Sequence, residues 1–107
     1  MSGGTSLPDW DAVLTQAVGA AKAVLADKWP SVEQSATIQI TALVKNGAYI
    51  AANRSTMDQD EYNSVKLNQQ RALEGILSGY EAISITVAEQ AAAAAWSIVE
   101  DAISRAA

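Results

Sequence analysis

The sequence predicts an all-α protein, and three observations carry that prediction. Ala, the strongest helix former, supplies 22 of the 107 residues, alongside Leu, Glu, Gln and Lys. The two prolines, Pro8 and Pro30, both fall where a helix would begin, so long stretches run without a breaker. Apolar residues recur at alternating spacings of four and three through most of the chain, the period of one helix face. The predicted architecture is an antiparallel bundle of two helices of about 22 residues plus a long C-terminal helix. That last helix is kinked or split near Ser78-Gly79; if split, the bundle has four helices.

The elements follow in order. Residues 1–6 read as a flexible lead and 7–107 as a single helical domain. Ser6 with Asp9 three residues on has the form of a helix start, and Pro8 suits a first turn where its missing N–H is harmless. Trp10, Leu14, Ala17, Ala21 and Val24 then trace a helix over 7–28, flanked by Val13, Val18 and Leu25. Trp29-Pro30 ends it, because a residue preceding proline is pushed out of the α region. Ser31 caps a second helix over 32–53, whose stripe is Ala36, Ile40, Leu43, Gly47 and Ile50, with Val32, Val44 and Ala51 beside it. Asn53-Arg54-Ser55-Thr56 is the clearest turn. Thr56 with Gln59 forms a second capping pattern, and Asp58, Asp60 and Glu61 crowd the positive end of the next helix.

From there to Ala107 no proline or turn cluster appears, and the stripe continues through Tyr62, Val65, Gln69, Ala72, Ile76, Tyr80, Ile83, Val87, Ala91, Ala94 and Ile98. An unbroken helix over 57–106 would be about 75 Å long, against a radius of gyration of about 13 Å for a globule of this size. The weak point is Gly75 to Gly79, and it lacks loop chemistry. A continuous or merely kinked helix is therefore expected, too long for the chain to cover alone.

Composition excludes several functions. Seven basic against twelve acidic residues leave a net charge of −5, which opposes a nonspecific grip on nucleic acid phosphates. Without His or Cys, the usual zinc sites and the Ser-His and Cys-His nucleophile pairs cannot be built. Asp58, Asp60 and Glu61 fail as a calcium loop, since the sixth and twelfth positions from Asp58 are Asn63 and Gln69. Glu33, Glu74, Glu81, Glu89 and Glu100 lack the Glu-x-x-His motifs of di-metal bundles. No phosphate-binding loop, dinucleotide fingerprint or nucleophile elbow is present. The expectation is a protein that is not an enzyme and takes no metal or cofactor. The N-terminal residues show no secretory signal, and no apolar run is long enough to span a bilayer, so the expected setting is cytoplasmic or within an assembly.

Charged residues are 18% of the chain, and two stretches, 34–53 and 82–99, carry one charge each, Lys45 and Glu89. Gly75-Ile76-Leu77-Ser78-Gly79 places small residues four apart on one face, a pattern that lets helices approach closely. Ala91 to Ala95, followed by Trp96, suits a helix with neighbours on several sides. Trp10, Trp29 and Trp96 are core residues first and interface anchors second, Trp29 being the one expected to be partly exposed. The predicted interface is Gly75, Gly79, Tyr80, Ala91, Ala94, Ala95 and Trp96, with Gln, Thr and Asn fixing register between helices. In general character the chain resembles the small helical structural proteins of phage virions. The leading expectation is a noncatalytic structural protein that forms homo-oligomers or packs into a larger assembly. The alternatives are a monomeric four-helix adaptor or chaperone holding a partner helix and, third, a membrane-active helical protein, which the negative charge disfavours.

Overall fold

In the computed structural model, which describes residues 8–106, the periodic stretches form α1 (Trp10–Leu25), α2 (Trp29–Asn53), α3 (Gln59–Ser78) and α4 (Ile85–Ala106). Short 3-10 turns at Ala26–Lys28 and Arg54–Thr56 precede α2 and follow it, and no strand occurs among the described residues. The expected lead, residues 1–6, and Ser6 as a cap lie outside the described residues.

Each helix start has a local cause. Asp9 caps α1, its Oδ1 accepting from the backbone N–H of Asp11 at 3.1 Å and of Ala12 at 3.3 Å. The capping box of α3 is Asp58 with Glu61, two residues beyond the predicted Thr56 and Gln59; Glu61 N–H donates to Asp58 Oδ1 at 2.8 Å and Asp58 N–H to Glu61 Oε1 at 3.2 Å. Thr56 instead donates its hydroxyl to the Asn53 carbonyl at 2.9 Å.

The first corner also differs from expectation. The chain turns at Ala26, whose φ of 51° is the one positive value outside glycine among the described residues. Trp29 itself is helical, at φ −53° and ψ −46°, because Pro30 occupies the opening turn of α2, where no backbone N–H is needed. Ser31 lies inside that helix rather than capping it.

The C-terminal half takes the split form, broken where Ser78-Gly79 marked it, and the favoured continuous helix is corrected. It is not one rod: α3 ends at Ser78, residues 79–84 reverse the chain, and α4 packs back along α3. The turn closes through Gly79 N–H to Ile76 O, Tyr80 N–H to Leu77 O and Ile83 N–H to Tyr80 O. Ser84 starts α4, its Oγ accepting from Val87 N–H at 3.1 Å. The reversal resets the helical phase. Ala72 is exposed and Leu73 and Leu77 are buried on α3, while α4 buries Ala88, Ala91, Ala92, Ala95, Trp96, Val99, Ala102 and Ile103.

Sequential helices pack as neighbours, and α4 closes the ring against α1. Tyr62 near the start of α3 meets Glu100 near the end of α4, and Asn46 late in α2 meets Gln69 midway along α3, so these pairs run antiparallel. Helices α2 and α4 also touch across the middle, whereas α1 and α3 make no comparable contact. The section is a flattened diamond, and the chain measures 47 × 31 × 17 Å. Its core among the described residues is wholly apolar. Large side chains such as Leu25, Ile40, Leu43, Leu73 and Leu77 are fully enclosed, each contributing about 1.5–3 kcal/mol relative to exposure. Trp29 is buried, and Trp10 is the half-buried tryptophan.

Candidate functional site

Three features compete for a functional role, and the first is polar. Where α3 begins and α4 ends, the Tyr62 hydroxyl donates to Glu100 Oε2 at 2.8 Å, and Lys66 Nζ lies 3.0 Å from the same oxygen. The Arg54 guanidinium sits over the Tyr62 ring, 4.4 Å from its centroid. Burial raises the Tyr62 phenol, Glu100 raises it further through hydrogen bond and charge, and Arg54 opposes; the net value is about 12. Burial also pushes Glu100 up, but Lys66, Tyr62 and Trp96 outweigh it and hold the carboxyl below its ordinary value. The buried Trp96 indole N–H faces the carboxylate without making a hydrogen bond of standard geometry. Lys66 and Glu100 answer each other, while Arg54 is tied to the neutral acceptors Met57 O and Gln59 Oε1. Such an arrangement clamps the start of α3 to the end of α4.

The residues predicted to form an interface separate into two groups. Ala91, Ala95 and Trp96 are buried within the chain itself, against its own helices, so they offer no surface to a second molecule. Gly75 and Gly79 are exposed, and Tyr80 and Ala94 are half-buried. Neither glycine has a neighbouring helix pressed against it: a methyl at Gly75 would meet nothing within 4 Å, and one at Gly79 only its own backbone. Tyr80 is engaged internally, its hydroxyl sharing a hydrogen bond with Ser35 Oγ at 2.9 Å. That bond and Asn46 Nδ2 to Gln69 Oε1, also 2.9 Å, show polar side chains fixing register inside one chain. The carboxylates Asp58 and Glu61 are occupied in capping.

The third feature is a set of large apolar side chains left exposed. Ile38 and Tyr49 are 65% and 66% exposed; they stand three turns apart on the outermost stripe of α2, with Lys45 between them. A groove of about 520 Å³ opens between α3 and α4, lined by Leu67, Arg71 and Glu74 on one side and Glu89, Ala92 and Ala93 on the other. Leu67 is 43% exposed. Ile85, 67% exposed, precedes Glu89 by one turn on the same side of α4, beyond the residues that line the groove. Sequence reasoning missed all four large exposed side chains. The signal was present for two of them, because Ile38 and Tyr49 fall on the face opposite the predicted core stripe of α2.

Fold and surface together define an up-down-up-down four-helix bundle with an exposed apolar stripe on one helix and a shallow groove between two others. No protein-family model matches the chain, and no curated protein or solved structure is significantly similar to it. No helix among the described residues is long and apolar enough to cross a membrane.

Proposed function

We propose that this chain is a noncatalytic helical module of a protein assembly, one that self-associates or packs into a larger multi-subunit complex. The observation that carries the reading is the outer stripe of α2, where Ile38 and Tyr49 stand two-thirds exposed in a 20-residue stretch, 34–53, with Lys45 as its one charge. Two large apolar side chains held in water on one helix face, in a stretch with so little charge, give a partner helix two anchor points. Covering it releases about 25 cal/mol per Å² of apolar area, set against the costs of association. The Lys66–Glu100 ion pair, with the Tyr62 hydroxyl donating to the same carboxylate, supports a structural role for the polar cluster, and the reading needs no cofactor, metal or nucleic acid. Its setting, cytoplasmic or inside a virion-type particle, belongs to the same proposal.

Light scattering on the eluting purified chain tests it. The expected result is a mass above the 11.2 kDa of one chain that rises with loading concentration. A monomer persisting to millimolar concentration contradicts self-association and leaves the second reading, a monomeric adaptor holding a partner helix in the α3–α4 groove. That reading is favoured by the reversal at 79–84, which lets the chain cover its own core.

A further inference from the structure

We infer that copies of this chain associate head to tail, the outer stripe of α2 on one copy seating in the α3–α4 groove of the next. The inference rests on the assembly reading above and adds the two surfaces and their register.

Charge selects the pairing. Lys45 makes no ion pair among the described residues, and neither do Glu74 and Glu89 of the groove. With Arg71 also present, the groove carries one net negative charge, which the single cation of the α2 stripe neutralises. A two-fold contact of α2 with α2 would instead bring Ile38 of each copy to Tyr49 of the other and place the two Lys45 side chains together. Like charges facing each other at an interface oppose such a pairing.

Register selects it independently. The Asn46–Gln69 hydrogen bond sets Tyr49 level with Leu67 along the bundle and Ile38 level with the last turn of α3. The Tyr62–Glu100 bond sets Ile85 level with that same last turn. One copy displaced sideways, with no shift along the helices, therefore brings Tyr49 to Leu67 and Ile38 to Ile85. Lys45 arrives between them, within a turn of Glu74 and Glu89. The four large exposed apolar side chains among the described residues are then covered by one contact. Ala92 and Ala93 keep the groove wall low where the tyrosine ring must enter. The two surfaces lie on different sides of the bundle, since the α2 stripe points away from α4. Such a contact does not close on itself and yields an open chain of subunits.

Because the chain has no cysteine, disulfide trapping reads the pairing directly. Tyr49→Cys and Leu67→Cys chains, mixed and oxidised, are expected to give the mixed disulfide, and one chain bearing both a ladder of covalent multimers. Lys45→Glu is expected to weaken self-association about five-fold, with mixing against Glu89→Lys restoring it. Association that persists while Tyr49→Cys chains link to each other, without charge-swap rescue, overturns this interface and leaves the assembly reading standing. A chain that is monomeric at every concentration overturns this interface and self-association together.

Discussion

Gly47 of α2 lies against Val99 of α4 with no room for a methyl group between the two helices. This contact is where the short diagonal of the diamond is set, and it explains why α2 and α4 touch while α1 and α3 do not. Gly47→Ala would drive its Cβ into the Val99 side chain. Overpacking of this kind costs about 1–3 kcal/mol, so urea denaturation should show a lower midpoint with an unchanged slope. Val99→Ala in the same chain should recover part of the loss by making room.

Gly75 gives the opposite expectation. It sits inside α3, exposed, with nothing within 4 Å of an added methyl. Gly75→Ala should stabilise the chain by about 0.5–1 kcal/mol through helix propensity, read as a higher denaturation midpoint. A loss of stability would place a neighbour there and revive the small-residue contact that the sequence suggested.

Ala26 turns the chain at φ 51° and ψ −120°, a conformation in which a Cβ is crowded. Glycine adopts it freely. Ala26→Gly should therefore gain about 1 kcal/mol despite glycine's greater freedom when unfolded. Thermal unfolding followed by circular dichroism measures it.

The Tyr62–Glu100–Lys66 cluster makes stability fall at both ends of the pH scale. The Glu100 carboxyl is held below its ordinary 4.5 in the folded chain, so its contribution is present above that value and is lost as pH falls through the lowered one. The Tyr62 phenol is raised from 10.0 to about 12, so its contribution is present below pH 10 and is lost as pH rises toward 12. Tyr62→Phe should cost about 1 kcal/mol at neutral pH, flatten the alkaline limb and soften the acid one. The half-exposed setting of Lys66 and Glu100 keeps the ion pair itself a small contributor.

Much of the fold was legible where one face of one helix carried the signal. The α2 stripe of Val32, Ala36, Ile40, Leu43, Val44, Gly47 and Ile50 is buried as its spacing implies, and the start of α3 lies among the acidic residues that its dipole favours. The break at Ser78-Gly79 was legible only as an alternative to a continuous helix, and its residues show why. Gly79 stays in the right-handed helical region, at φ −71°, so it carries no left-handed stop signal. Ser84 caps α4 without a Glu or Gln three residues on, Val87 standing there instead. The turn is held by burial of Leu77 and Ile83 against the other helices, a tertiary effect that no local pattern encodes. The same reversal hid the docking surfaces. Read as a rod, the Ala-rich segment seemed to need a second molecule; folded back, α1, α2 and α3 supply its cover, and the large apolar side chains left outside among the described residues are Ile38, Tyr49, Leu67 and Ile85.

That reversal decides which surfaces a partner can reach, so the distance between the two ends of the C-terminal hairpin tests the account most directly. Spin labels on cysteines replacing the exposed Asn63 and Asp101, diluted with unlabelled chain, report it by pulsed dipolar spectroscopy. Packed antiparallel helices with 8–10 Å between their axes should give about 20 Å including the label arms. A single continuous helix would separate the same positions by about 57 Å, and that result would contradict the four-helix bundle and the interface built on it.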